Sequence, residues 1–485
     1  MSKERGPGFA LLCGLAGLLL AGLIVYSQFQ AFSWDEGFHL LAASLIRSGK
    51  KPYLDFCFPQ TPLNAYFYSL WMRLFGESWR AMHAVASILT AGAIFLTADY
   101  FYTRFPVSAW RLPGAIAVAL FMGLNNSVVF FGTIAQAYAL CLLLLLCAFR
   151  SAILAVSRSG ALVAAVAGFL VGASAASSLL TALAVPVLLI WILLASRAGN
   201  RWLKLGASLA GAVVPFLPVL WLFLQSPRVV LFNVIGYQLF GRRTRWEGAT
   251  GHDLSVLTSW VDSGSALLLG LFAIAGLIFV ARAKEWPPSL RSEFTLCAWL
   301  AAAMALEIGV AHPTFTWYFV FTVPFLSILA VTGLYAVAAR LAPVSPPGWS
   351  VAAVAILLAL SFGRALREDR DEMNWASMES IVRKILEVTP RDGPIWAGEQ
   401  FFFLTRRPVP DGMEFQASLK LDMPLSEAQP LHILPSRELE RQVKTRFYDT
   451  IEICDDDRIR ELGLPDLYLK SDQVGACTIF WDKKE

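Results

Sequence analysis

Long apolar runs, broken at irregular intervals by short clusters of arginine, lysine, serine and asparagine, dominate the first three quarters of the chain. Measured against the roughly 20 residues that a helix needs to cross the hydrocarbon core, they predict about eleven membrane spans. These lie near residues 9–29, 80–103, 111–131, 135–154, 160–176, 179–196, 203–224, 264–283, 294–311, 316–338 and 349–365. The divisions inside 111–154 and 160–196 rest on weak signals, Asn125-Asn126-Ser127 and the stretch from Ser174 to Ser178. Beyond residue 365 the pattern changes. Short apolar runs (PIWAG, FFFL, LHIL, YDTIEIC, LYLK, CTIFW) alternate with charged stretches such as SRELERQVKTRF, after an amphipathic segment from Met373 to Val388 with Ile381, Ile385 and Leu386 apolar. Short strands alternating with charged helices predict a small α/β domain. The expected architecture is an α-helical polytopic membrane protein over 1–365, with outer loops at 30–79 and 225–263, followed by a soluble C-terminal α/β domain over 366–485.

Composition sharpens this division. Only 16% of the 485 residues are charged, 56% are hydrophobic and the mean hydropathy is +0.57, whereas ordinary soluble domains are roughly 25% charged. Residues 1–365 hold 12 acidic and 23 basic side chains, and residues 366–485 hold 24 acidic and 17 basic. The net charge of +4 therefore averages two opposites and argues for no nucleic-acid partner. Lysine and arginine in short loops stay on the cytoplasmic side. With Lys3 and Arg5 inside, the loops bearing Arg104/Arg111, Arg150/Arg158, Arg197/Arg201/Lys204, Arg282/Lys284/Arg291 and Arg340 also fall inside. Residues 30–79, 225–263 and the tail then lie outside. The first span reads as an uncleaved helix rather than a signal peptide, because its apolar run is long and lacks a clean cleavage site.

Cys13, Cys141, Cys147 and Cys297 sit in predicted spans, where a thiol is ordinarily a small apolar residue. Cys454 and Cys477 are the tail's two cysteines, and the sequence leaves open whether they pair or stay free. No metal-ligand spacing is present. Carboxylates near membrane depth are functional candidates by default. On the outer face these are Asp35, Glu36, Asp55, Glu77, Glu247, Asp253, Asp262 and Glu307. Asp35 and Glu36 open an amphipathic stretch with Phe38, Leu41, Ala42 and Leu45 at helical spacing, and Ser33 with Glu36 forms a capping-box pattern. His39 lies one turn on. Pro52, Pro59 and Pro62 then force an irregular stretch, YLDFCFPQTPL. Asp35 at the positive end of a helix reads equally as a functional carboxylate or as a simple cap.

The run from Trp34 to Leu89 closely resembles the first outer loop and second span of the membrane-embedded GT-C glycosyltransferases. Within them it is most similar to the bacterial branch related to protein O-mannosyltransferases (glycosyltransferase family 39) and the Rgt-type lipopolysaccharide glycosyltransferases. The resemblance is carried by Asp35, Glu36, Gly49, Pro52, Tyr53, Asp55, Pro59, Gln60, Pro62, Leu63, Tyr66 and Arg80. It implies a multispanning fold, a polyprenyl-phosphate-linked sugar as donor, a lipid, glycan or protein acceptor on the outer side, and transfer with inversion. In a bacterium that places the protein in the inner membrane with its site facing the periplasm.

That activity gives the residues roles. Asp35 is expected as the base that takes the acceptor's proton, with Glu36 supporting it. Tyr53, Asp55, Gln60 and Arg80 are candidates for binding substrate. Arg242, Arg243 and Arg245 in YQLFGRRTRWEG are candidates for gripping the departing lipid phosphate, or for contacting anionic membrane lipids. Glu307, His312 and Tyr318 in EIGVAHPTFTWYFVFTVPFL resemble the family's late outer turn; an interfacial aromatic belt is the parallel reading there. One position departs from many relatives: Gln136 stands where they carry an acidic residue, which weakens a two-carboxylate or metal-assisted scheme. No cofactor is required by this pattern, although a divalent cation remains compatible with it. Asp55 or Glu307 could supply the second carboxylate. The rivals are a lipid-linked-sugar flippase or secondary transporter, and a catalytically inactive member of the same fold. Internal repeats and paired broken helices, the usual marks of transporters, are not evident.

Overall fold

In a computed structural model, the chain is described over residues 7–31, 35–158, 160–242, 248–261, 263–341, 346–368 and 374–484. Of the sequence expectations, Ser33 of the capping box, Arg243, Arg245, Glu247 and Asp262 lie outside the described residues. The chain divides into two compact units. The first comprises 1–27, 83–217 and 246–369; the second comprises 28–82, 218–245 and 370–485.

The protein is a polytopic membrane protein. Among the described residues eight helices are long and apolar enough to cross a membrane: Pro7–Phe29, Trp79–Arg104, Ala137–Ser157, Arg201–Gln225, Gly264–Arg282, Pro288–Val310, Val323–Leu341 and Pro347–Glu368. A ninth span arises if Ser108–Gly123 and Asn126–Gly132, bent by 63° at the predicted Asn125 break, are counted together. The other two of the eleven apolar runs form helices that are short for a span, Leu162–Ser177 and Leu179–Ala195. At about 1.5 Å per residue the first rises roughly 24 Å, less than the hydrocarbon thickness. Ser178 ends it by turning extended.

Helices of the first unit approach backbone to backbone through glycine. A Cβ on Gly168 would fall 1.8 Å from the Ser208 carbonyl oxygen, and one on Gly211 2.1 Å from that of Ala165. Gly276 and Gly333 meet Leu329 and Phe272 in the same way. Lipid chains give helices no hydrophobic reason to associate, so close packing through small residues takes over that task. Two buried carboxylates of this unit are paired, Asp99 with Arg150 at 2.8 Å and Glu293 with Arg104 and the Tyr100 hydroxyl, while the buried Lys204 donates to the Val156 carbonyl at 3.4 Å. All of these belong to the ends that the charge pattern assigns to the inner side.

The second unit draws on both long loops and the tail. Its sheet has the order β1-β2-β4-β3, from β1 (Ile395–Trp396), β2 (Thr450–Ile453), β3 (Tyr468–Val474) and β4 (Cys477–Lys483). β1 and β2 are parallel, and the other pairs are antiparallel. The amphipathic helix Trp375–Val388 buries Met378, Ile381 and Ile385 in the adjoining core, while Leu386 is exposed. Two of the predicted strands take other forms. FFFL lies in the helix Glu399–Thr405, with Phe401, Phe402 and Phe403 all buried, a pattern that a two-sided strand does not produce. LHIL begins inside a short 3-10 turn, Gln429–Leu431, and joins no strand. Cys454 and Cys477 form a disulfide beside the Ile453–Thr478 register pair.

A second core binds loop to tail within this unit. Phe38, Tyr53, Phe56 and Phe58 from the first loop pack with Tyr237 and with Phe415, Leu421 and Ile433 from the tail. Phe415 stands edge-on to both Phe38 and Tyr237, at 5.1 and 5.2 Å.

Candidate active site

Asp35 occupies the N-cap position of the helix Glu36–Arg47, yet its side chain makes no capping hydrogen bond. The purely structural role that the sequence allowed for it is therefore not the one it performs. No hydrogen bond reaches its carboxyl from the described residues. Asp35 is accessible to solvent, and the protein around it still withdraws enough water to push its carboxyl above the ordinary range, against the pull of the Arg242 guanidinium. Glu36 beside it is fully buried, and its charge is felt by the buried Tyr68 hydroxyl. His39, pushed down to about 3 by burial, is a neutral ring stacked on Phe38, with the Asn64 amide nitrogen 3.4 Å from its Nδ1.

The proline-rich loop is held by the residues that the motif contains. Tyr53 adopts the left-handed region (φ 72°), donates its N–H to the Phe56 carbonyl and its buried hydroxyl to the Gln60 carbonyl at 2.7 Å. Asp55 accepts the Lys51 N–H at 2.6 Å. The π-helix Phe232–Gly241 docks along this loop: Asn233 accepts the Phe58 N–H at 2.8 Å, and Gln238 donates to the Pro59 carbonyl at 2.7 Å. Gln238 in turn accepts from Arg242 at 3.4 Å. A chain of contacts from Pro59 through Gln238 thus places the guanidinium of Arg242 where its field reaches Asp35. Wide π turns are uncommon and recur at functional sites. Arg80 is engaged elsewhere in the unit, lying over the rings of Trp79 and Trp375 at 4.5 and 5.7 Å and donating to the Gln28 carbonyl.

The sequence reading passed over two further members. Tyr237, on the π-helix, responds to the charges of both Asp35 and Arg242. Glu399, at the start of the tail helix that replaces the predicted FFFL strand, responds to the charge of Asp35. The available signal was local: AGEQ directly follows the strand β1, and residues at strand ends often carry function.

The late turn belongs to the first unit. Glu307 accepts the Leu183 N–H at 3.0 Å. His312, preceding a cis proline, pairs through Nδ1 with Asp253, which also accepts the Thr314 N–H at 2.7 Å; His252 donates to the Thr314 carbonyl at 3.0 Å. Burial pushes Asp253 up, but the Thr314 N–H and His312 outweigh it and hold the carboxyl below its usual range. Tyr318 is buried in a short 3-10 helix, and Trp317 stacks on Phe315 at 4.5 Å and on Phe131 at 5.3 Å. Gln136 is buried at the N-cap of the helix Ala137–Ser157. Among the described residues one cluster offers three potential metal ligands, Glu452 with Cys454 and Cys477, and there both sulfurs are spent in the disulfide.

No family model matches the chain. No curated protein matches it either. Solved structures do: ArnT from Cupriavidus metallidurans bound to undecaprenyl phosphate aligns over 97% of both chains with a TM-score of 0.66 at 16% identity. The same protein in its apo state aligns over 97% of both chains with a TM-score of 0.67 at 17% identity. The chain therefore shares the fold of these ArnT structures, spans and sheet domain included.

Proposed function

We propose that the protein is a GT-C-type membrane glycosyltransferase. It moves a hexosyl or pentosyl group from a polyprenyl-phosphate donor to an acceptor hydroxyl, with inversion at the anomeric carbon and Asp35 as general base. The observation that carries this reading is Asp35 itself, a carboxyl at a helix start that caps nothing, holds its proton more tightly than usual and stands in the field of an arginine. The like fold of a protein solved with undecaprenyl phosphate supports a donor of that class.

In the reaction the acceptor oxygen attacks the anomeric carbon as Asp35 takes its proton, so a C–O bond forms to the acceptor. The bond from the anomeric carbon to the phosphate oxygen breaks, and its electron pair leaves with the lipid phosphate. Arg242, with Arg243 and Arg245 next in sequence, meets the charge that develops there. Glu36 supports Asp35 from the first helical turn. Tyr53, Asp55 and Gln60 shape the loop on which substrate lies, and Arg80, Glu307, His312 and Tyr318 are assigned to the donor or its surroundings. The motif of residues 34–89 supports kinship with the O-mannosyltransferase branch, and the acceptor class spans lipid, glycan and protein. The tail disulfide suits an oxidising compartment, which supports an inner-membrane protein with this unit on the periplasmic side.

The test compares wild type with Asp35→Asn at matched membrane expression, following radiolabelled sugar from a panel of polyprenyl-phosphate donors into native acceptors. Transfer by wild type and its loss in the variant is the expected result. Equal transfer by both would remove Asp35 as the base. Donor binding with no transfer by either would favour a flippase or an inactive member of the fold.

A further inference from the structure

The tail brings a carboxyl group to Asp35. After β1 the chain turns at Gly398, and the helix Glu399–Thr405 begins with its first turn against the first turn of Glu36–Arg47. The approach is close: a Cβ on Gly37 would lie 2.7 Å from the Gln400 backbone nitrogen and 3.0 Å from its Oε1. Backbone cannot yield to that overlap, so residue 37 must lack a side chain. The contact fixes Glu399, one residue before Gln400, near Asp35, two residues before Gly37. Glu399 is further held by the Gln416 N–H, which donates to its Oε1 at 2.7 Å. Asp35, Glu399, Tyr237 and Arg242 then share one electrostatic neighbourhood, since Tyr237 responds to the other three.

We propose that Glu399 is a positioning residue of the Asp35 site: brought beside Asp35 by the meeting of the two helix starts, it stands there as a neutral acid and so keeps a second negative charge away from the base and the donor phosphate. This rests on the glycosyltransferase reading and supplies the second carboxyl that Gln136 does not.

Two carboxylates in one partly dehydrated place do not both ionise readily, and they titrate as a pair. Arg242 favours the anion of Asp35, whereas no cation among the described residues acts on Glu399. The groups facing Glu399 are Asp35 ahead of the Glu36–Arg47 helix, Tyr237 on the π-helix and Glu452 on β2, which accepts the Gly398 N–H at 3.1 Å. Burial pushes Glu399 up to about 7 against the backbone N–H groups that it accepts from, and the charge of Asp35 adds a smaller push in the same direction. Below that pH Glu399 is neutral. Above it Glu399 ionises, and an anionic donor is repelled.

The experiment follows carboxyl-labelled glutamate by NMR across pH 5 to 9 in the full-length protein in nanodiscs, for wild type, Glu399→Gln and Asp35→Asn. The expected result is a glutamate signal with a midpoint near 7 that is missing in Glu399→Gln and moves down in Asp35→Asn. An unmoved midpoint in Asp35→Asn, or a Glu399 signal already ionised at the lowest pH, would overturn the proposal. This titration needs no turnover, so it stands apart from the glycosyltransferase reading, which fails if wild type transfers nothing. Where transfer is observed, the donor KM of wild type should rise severalfold above neutrality, the phosphodiester donor keeping a constant charge there. Glu399→Gln should flatten that rise and Glu399→Asp restore it. A Glu399→Gln enzyme weakened equally at every pH would mark a merely structural residue and overturn the proposal.

Discussion

Asp35 and Asp253 are both carboxylates in segments that the charge pattern assigns to the outer side, and each has a basic side chain near it. Their surroundings treat them oppositely. Asp253 has its oxygens engaged by the Thr314 N–H and by His312, and it is held below the usual range. Asp35 receives no hydrogen bond from the described residues, and the water withdrawn by the protein around it holds it above that range. A carboxylate whose lone pairs are filled fastens a turn in place. One left open, with its anion made less comfortable, is ready to accept a proton. Proximity of acid and base in a sequence motif does not separate these cases; the hydrogen bonds do.

The comparison breaks most sharply on paired substitutions. Asp35→Asn should lower sugar transfer by about 10²- to 10⁴-fold, the range general-base catalysis supplies, while Asp253→Asn should leave kcat nearly unchanged in the same assay. Comparable losses in both would erase the distinction. Next in size is Arg242→Ala. Loss of a charged contact to phosphate should raise the donor KM about ten- to hundredfold, with Arg242→Lys between the two. The same change should move the acid limb of the pH profile upward, because without the cation Asp35 keeps its proton to higher pH and is active only as the anion. An acid limb that stays put or moves down would contradict that coupling. Gly37→Ala should destabilise the loop-and-tail unit by about 1–3 kcal/mol through overpacking against Gln400, read as earlier proteolysis of the tail. The smallest effect is expected from Asp253→Asn on stability: about 1–2 kcal/mol from the lost hydrogen bonding, seen as a modest drop in thermal midpoint and absent if the turn is held by its aromatic stack alone.

Much of the membrane part was legible because its signal is one-dimensional. Apolar length and charge bias place helices without reference to partners, and the Asn125 break was visible as a polar interruption. Counting eleven spans treated every apolar run alike, and length divides them, since Leu162–Ser177 ends where Ser178 turns extended. The tail was harder. YDTIEIC and CTIFW showed their strands through β-branched and aromatic content, but FFFL is apolar without period, and its helix buries three successive phenylalanines. Around the site, the motif brought forward Asp35, Tyr53, Asp55 and Gln60 together because one loop holds them. Glu399 and Tyr237 join from segments that nothing in the linear pattern ties to residue 35.

The meeting of Gly37 with Gln400 also sets a timetable. Asp35 lies in the first tenth of the chain and Glu399 in the last fifth, so at roughly 5–20 residues per second the ribosome runs for tens of seconds between making the two. Chains truncated before residue 399 and probed by limited proteolysis should show the first loop unprotected. During synthesis, then, the half-made protein can already sit in the membrane with its aspartate formed while the partner carboxyl does not yet exist, so biogenesis itself keeps the site incomplete until the chain is nearly finished.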